Sequence, residues 1–430
     1  MAGTSTKIDV AWEKLFDKYN ILARVNSNGT FRISSTLINE FHEARLMAKF
    51  DQSSQLPAIF HKNQLSILPV TRGDYLIGPF ETHLKVCYSS TIKPQPVEAP
   101  ALESLDPQNL YSEASAVLFA YNSGIIRDIM GSDEVKFTVN GRMRSDFFSF
   151  SVNNNSKPQV PIDIDVQNSQ IEIDAGFESP DAFIVCEVKN QAPEELLIRQ
   201  LYYPYRLWKG KIAKPVIPVF LAFSNDVFHV FKYSFEDEKN YNSINLEKYQ
   251  TYTFADEDIS SQDIMRLWQT TQMSLSPGVP LPQADSFPRI FDLLSVLHEE
   301  DLTRSEVTLK YEFVARQTNY YISACEYLGL IERFKGDGGE RAYRLTQEAR
   351  EIMVSSYKKK HLMIIKKIFE RPVFHKAFEF FAKNNRLPST QDIEHIMKSI
   401  PYSRKINDTT IERRSSTVLG WLKWIVALSN

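Results

Sequence analysis

The most specific chemical signal in this chain is three residues. Asp174 closes the alternating run Ile171-Glu172-Ile173-Asp174, and after twelve intervening residues come Glu187-Val188-Lys189. Residues two apart on a strand point to one face, so Glu187 and Lys189 share a side of a sheet. If the two runs pair as a hairpin, Asp174 arrives beside Glu187 at the sheet's rim. Two carboxylates held close repel unless a cation lies between them, and oxygen ligands with retained waters suit Mg²⁺. A lysine beside them can orient a metal-bound water and, as the neutral amine, take its proton. That is equipment for phosphodiester hydrolysis: a metal to polarise the phosphate, a water to attack, and Lys189 to stabilise developing charge. Asp163, Asp165, Glu172 and Asp181 are competing acids. Alternation in 161–166 places Asp163 and Asp165 on one, solvent-facing, side. Asp181 is the alternative first acid; Asp174 is preferred because it closes a strand and leaves room for a turn. The inert reading of the same residues is a solvated strand end.

The elements around these residues must hold them. An apolar stripe through Leu110, Ala114, Val117, Leu118 and Tyr121 predicts a helix over 110–126. Asn140-Gly141 predicts a hairpin within 135–152. Strands are expected at 170–177, 182–189, 216–223 and 227–235, and a helix at 194–208. Helix, strands, helix, two strands is an α/β unit with a mixed central sheet flanked by helices. Before it, 8–19 reads as a helix, 31–51 contains a second helical stretch from Ser34-Ser35-Thr36, and 65–70 and 75–77 read as strands. Pro94, Pro96, Pro100 and Pro107 mark a linker at 91–109, and a second linker spans 271–288. Helices at 287–298, 303–311 and 315–328 follow, then a hairpin of 331–334 and 342–345. That order is the pattern of a winged helix. Residues 357–430 read as helical. The expected divisions are 1–105, an N-terminal α+β domain and possible DNA-binding module; 106–270, the catalytic core; 280–355, a winged helix; and 356–430, a helical domain.

Composition bounds the partners. The 430 residues carry a net charge of -3, which excludes a wholly basic binder. The charge is uneven: residues 286–430 hold 24 basic against 18 acidic residues, and residues 1–285 hold 26 against 35. A basic C-terminal part suits a polyanion, and an acidic body suits metal-binding carboxylates. Cys87, Cys186 and Cys325 are too few and too scattered for a disulfide framework or a structural zinc. No apolar run follows the N-terminal Met and none spans a membrane, so a signal peptide and a membrane partner are not expected.

The acid, the spacer and the Glu-x-Lys element on this core resemble the PD-(D/E)XK nuclease superfamily. Ile173-Asp174 departs from the family's Pro-Asp step, while Glu187-Val188-Lys189 keeps its second element. The resemblance covers roughly residues 110–235. It implies a further metal-side acid at Glu113, in Tyr111-Ser112-Glu113-Ala114, and a supporting amide at Gln200, in Arg199-Gln200-Leu201-Tyr202-Tyr203. The flanking segments are similar to those of Type II restriction endonucleases in which this core is fused to helix-turn-helix modules. These segments are 35–51, 281–287, Ala315-Arg316-Gln317-Thr318-Asn319-Tyr320-Tyr321 and Tyr327-Leu328-Gly329-Leu330.

The expected function is therefore a sequence-specific double-stranded DNA endonuclease of a restriction-modification system, in a prokaryotic cytoplasm. Asp174, Glu187 and Glu113 would hold Mg²⁺, with Mn²⁺ able to substitute. Lys189 would position the water and Gln200 would support the site. Cutting both strands needs two sites, so a homodimer is the simplest assembly, paired in function with a cognate methyltransferase. The side chains that read G and A edges stand at Arg316, Gln317 and Asn319, with Thr318 and Tyr320 for phosphates. Lys335 and Arg341 on the wing, Arg142 and Arg144 near the core, and Arg413 and Arg414 at the start of the last helix are backbone-contact candidates; Arg45, Lys49 and Arg72 are weaker ones. The rival readings are a methylation-dependent or repair nuclease, and a non-catalytic winged-helix regulator.

Overall fold

A seven-stranded mixed sheet lies at the centre of the chain, and helices cover both its faces. The computed structural model describes residues 6–429 apart from 90–91, 106, 108–109, 111, 255–257, 275–279, 311–314, 337–338 and 401–406, and without the side chains of 309, 310, 315 and 316. The strands are β1 (Gln95–Pro96), β2 (Lys136–Arg144), β3 (Gln170–Glu178), β4 (Phe183–Lys189), β5 (Val216–Ser224), β6 (Val227–Phe235) and β7 (Ile244–Thr253). They lie in the order β1-β7-β6-β5-β4-β3-β2. The β4–β5 and β7–β1 pairs are parallel and the others antiparallel. The protein is thus a mixed α/β protein.

Strand β4 shows why the sheet is covered twice. Phe183 and Val185 enter one buried cluster, while Ile184, Cys186 and Val188 enter another. The first cluster takes Tyr202, Tyr203 and Leu207 from α2 (Arg199–Lys211), the crossover between β4 and β5. The second takes Ala116, Val117 and Phe119 from α1 (Glu113–Asn122). Burial on both faces is what a parallel pair requires.

Ahead of the sheet, helix Lys7–Tyr19 packs Trp12, Leu15 and Phe16 into one core with Phe60, to which helix Ile21–Asn28 adds Ile21 and Val25. A three-stranded antiparallel sheet of Phe31–Ser34, Asp74–Gly78 and Ser66–Pro69 completes this unit. After the sheet, α3 (Phe287–Glu299), α4 (Ala315–Leu328) and α5 (Asp408–Ala427) join the antiparallel pair Ile331–Lys335 and Arg341–Leu345. The expected segments 280–355 and 356–430 share one buried core that runs from Ile259 to Ile425. Among the described residues no helix is long and apolar enough to cross a membrane.

Several local expectations are corrected. Asn140-Gly141 makes no hairpin turn: β2 runs through it, with Gly141 at φ 90° and register shifts on either side of Val139. A bulge and a tight turn use the same glycine conformation, so the dipeptide alone does not separate them. The returning strand, Phe148–Val152, pairs instead with Ile162–Val166. The helix over 110–126 breaks at Ser123-Gly124, where Gly124 takes φ 87°. Residues 31–51 hold a strand and two four-residue helices. The stretch 194–208 opens as a short strand, Glu195–Leu197, before α2. Strand β3 does not end at Asp174 but continues to Glu178. The centre of the second linker, residues 275–279, and the tip of the 336–339 turn lie outside the described residues.

Candidate active site

Strands β3 and β4 pair antiparallel with Cys186 opposite Ala175, so the next step along each strand reaches Glu187 and Asp174. There the ladder stops and a side chain takes over: Asp174 Oδ2 accepts a 2.8 Å hydrogen bond from the backbone N–H of Val188. Glu187 and Lys189 alternate with Cys186 and Val188, which are buried on the α1 side. They therefore face the α2 side, where Gln200 Nε2 donates to Glu187 Oε1 at 2.5 Å. Glu113 arrives from the first turn of α1, whose N-cap Ser112 accepts from the Ser115 N–H. An acid in that turn is favoured by the helix dipole.

Lys189 is the hub. Its Nζ lies 3.0 Å from Glu187 Oε1, 3.8 Å from Glu113 Oε1 and 3.9 Å from Asp51 Oδ2. Its side chain is 12% exposed and that of Glu187 6%, so this ion pair is largely desolvated. Burial pushes the Glu187 carboxyl up to about 8; Lys189 pulls it down, and Asp174 and Asp51 push it further up. Burial also raises Asp174 to about 6, with the charge of Glu113 adding to it. Glu113 is raised by burial and by Glu187, against the pull of Lys189 and Lys49. The acids thus feel one another, which is the repulsion that a bound cation relieves.

Asp51 is the residue that sequence reasoning missed. It is 4% exposed and comes from the N-terminal unit, with Lys49 Nζ at 3.7 Å. The joint around it is specific: the Ser53 N–H donates to Glu195 Oε2 at 2.8 Å, and His83 Nε2 lies 3.1 Å from Phe50 O. The one sequence cue is the polar pair Asp51-Gln52 directly after the apolar Phe50, and nothing in it announces burial.

The competing acids stand elsewhere. Asp163, Asp165 and Asp181 are exposed, and Glu172 is exposed and pairs with Arg142 at 3.2 Å. Among the described residues, no group of three or more His, Cys, Asp or Glu gathers as a metal-holding set; the ammonium of Lys189 lies among the acids. The donors offered are all hard oxygens, with Asp174 inside β3 feeling the charge of Glu113 and Glu187 near the end of β4 feeling that of Asp174. Carboxylate oxygens are the donor type that a hard divalent cation takes.

The reading candidates are spread over other surfaces. Asn319 on α4 is exposed, and Gln317 and Tyr320 are half-buried. Thr318 is a correction: it is 0% exposed, and its hydroxyl lies 2.9 Å from that of Thr308, so it packs the fold and does not reach a phosphate. The side chain of Arg316 lies outside the described residues. Lys335 and Arg341 are exposed and stand opposite each other on the hairpin. Arg413 is exposed, while Arg414 is half-buried, and burial, with the charge of Arg413 adding to it, lowers the Arg414 guanidinium below its usual range. Arg142 and Arg144 lie exposed on the edge strand β2.

Three family models match the chain, each described only as a domain of unknown function. Residues 9–77 match DUF6996, 78–253 match DUF6997 and 289–430 match DUF7226. No curated protein and no solved structure matches it. The second match contains Glu113, Asp174, Glu187, Lys189 and Gln200; Asp51 belongs to the first. The site therefore crosses a boundary between two families.

Proposed function

We propose that this protein is a Mg²⁺-dependent, sequence-specific endonuclease of double-stranded DNA, with a core of the PD-(D/E)XK type and a winged-helix reader in its C-terminal part. One observation carries the reading: residues as far apart as Glu113 and Gln200 meet at the Glu-x-Lys strand end, with Lys189 Nζ 3.0 Å from Glu187 and 3.8 Å from Glu113. In this reading Asp174, Glu187 and Glu113 hold the cation, and Mn²⁺ substitutes for it. The cation, when bound, supplies polarisation of the phosphate and acidification of a water. Lys189 orients that water and carries positive charge toward the phosphate as negative charge builds there. Gln200 fixes the Glu187 carboxylate by its hydrogen bond, and burial of that carboxylate keeps bulk water from competing.

The remaining parts follow from the same reading. The exposed Asn319, with Arg316 and Gln317 on the same helix, reads bases, while Lys335, Arg341 and Arg413 engage the backbone. Two copies of the chain cut the two strands, in a restriction-modification system with a cognate methyltransferase. The test is digestion of a plasmid of known sequence with Mg²⁺, with Mn²⁺ and with chelator, followed by sequencing of the ends. Defined ends that vanish with chelator and in Lys189→Ala are expected. Binding without cleavage, or cleavage by Lys189→Ala at the wild-type rate, overturns the reading.

A further inference from the structure

Two charged side chains are buried in α3: Arg289 is 7% exposed and Asp292 4%. They lie among Phe287, Ile290, Phe291, Leu293 and Leu294, all buried. Charged residues are almost never buried unless paired, so their partners are informative. Arg289 Nη2 lies 3.4 Å from Glu194 Oε1, and the guanidinium also donates a hydrogen bond to the Tyr321 hydroxyl. Tyr321 is 4% exposed, on the packed face of α4, two residues beyond the exposed Asn319. Asp292 stands one turn further along α3 and feels the charge of Arg289. It accepts from the Ser224 hydroxyl at 2.8 Å and from the backbone N–H of Ala192.

These partners belong to two different parts of the molecule. Ala192 and Glu194 lie in the connection 190–194, which leaves Lys189 at the end of β4 and leads through Glu195–Leu197 to Gln200. Ser224 ends β5, the strand on which Ala222 pairs with Lys189. Tyr321 belongs to the helix read above as the base reader. The α3 pair therefore holds the chain just after Lys189 on one side and α4 on the other. Glu194 is exposed on its outer side, so that contact is the weaker one. The bonds of Asp292 to Ala192 and of Arg289 to Tyr321 are out of water and charge-assisted, which makes them strong. A guanidinium fork, moreover, fixes its partners in one geometry.

We propose that Arg289 is a positioning residue: it ties the packed face of α4 to the connection that follows Lys189, so that the seating of α4 on DNA and the placing of Lys189 at the scissile bond are coupled. The tie itself is independent of any reading of catalysis; its consequence for cleavage rests on the nuclease reading above.

The experiment is hydrogen exchange of the full chain, without DNA, in wild type, Tyr321→Phe and Arg289→Lys. Tyr321→Phe removes only a hydroxyl on α4, yet the amides of 188–194 should exchange about 10-fold faster, while those of α1, outside the network, keep the wild-type rate. Arg289→Lys, which keeps the charge but not the fork, should do the same. Unchanged exchange at 188–194 in Tyr321→Phe overturns the proposal. On cleavable DNA, Tyr321→Phe should lower kcat about 10-fold and leave KM within about twofold. A change confined to KM overturns the coupling to catalysis. Should Arg289→Lys fail to fold, Tyr321→Phe decides alone, because loss of one hydroxyl leaves the ring packing in place. A wild type that cuts no DNA overturns the nuclease reading only, and the exchange result then decides the proposal.

Discussion

Asp174 Oδ2 accepts a 2.8 Å hydrogen bond from the backbone N–H of Val188, the residue between Glu187 and Lys189. The first acid of the candidate site is thus part of the β3–β4 ladder, filling the place of the next backbone bond. This gives Asp174 two separable tasks. Asp174→Asn keeps an acceptor for Val188 and removes the charge, whereas Asp174→Ala removes both.

The folded protein raises the Asp174 carboxyl from 3.8 to about 6. A group with a raised folded pKa contributes stability that is complete below its unfolded value and is lost as pH rises through the folded one. Asp174→Asn does not titrate. At pH 8 it should be more stable than wild type by at most ~2–3 kcal/mol, the difference fading toward pH 4. Asp174→Ala should fall below Asp174→Asn by about 1–2 kcal/mol for the stranded Val188 N–H. Melting curves at the two pH values check both, and a difference that does not change with pH refutes the first. Both variants should lose at least ~10²-fold in cleavage.

Asp51 should matter to cleavage although it lies outside the segment that holds the motif. It is 3.9 Å from Lys189 Nζ and 4% exposed, so it helps to fix where the ammonium stands. Asp51→Asn should lower single-turnover cleavage about 10-fold, the range seen when a supporting contact is lost. DNA affinity, measured in Ca²⁺, should stay within about twofold, because the residue is not at an exposed surface. An equal loss in binding would show that it acts by holding the N-terminal unit in place.

Gln200 donates to Glu187 Oε1, and its own Oε1 is sealed without a partner. Gln200→Ala frees the Glu187 carboxyl to turn. The concentration of Mg²⁺ for half-maximal cleavage should rise about 10–100-fold, with a smaller effect at saturation. A Mg²⁺ titration of the variant checks this; unchanged Mg²⁺ dependence refutes it.

Local chemistry made much of the core readable, and long-range packing hid the rest. Glu187 and Lys189 are two apart on a strand, and period-two alternation is written in sequence. Glu113 and Gln200 needed a resemblance, because only the fold tells which helix end meets which strand end. Asp51 was not readable: its burial depends on a joint between Ser53 and Glu195, 142 residues apart. The strand through Gly141 was misread because a bulge and a turn ask for the same residue. Thr318 is different, since its signal was present. Thr318, Tyr321, Ile322 and Cys325 recur at helical spacing and are all buried. That stripe marks the face of α4 that meets the core, and it leaves Asn319 on the exposed side.

The C-terminal unit offers a test in which two effects of one substitution oppose each other. Gly420 lies within α5, where Gly→Ala ordinarily gains about 1 kcal/mol from helix propensity. A Cβ at Gly420 would stand 2.7 Å from the backbone carbonyl oxygen of Asp285. That oxygen is not the end of a flexible side chain. The chain there is pinned by the buried Trp421, whose Nε1 donates to the Ala284 carbonyl at 2.8 Å, and by Phe287, whose ring lies 5.0 Å from that of Trp421. Relief requires shifting either the helix or the 284–287 segment, an overpacking cost of about 1–3 kcal/mol or more. The steric term exceeds the propensity gain, so Gly420→Ala should lower the urea midpoint. A substitution in an open helical position, Gly210→Ala, where a Cβ meets nothing within 4 Å, should leave it unchanged or raise it. If Gly420→Ala instead raises the midpoint as Gly210→Ala does, α5 does not cross the 284–287 segment as closely as described.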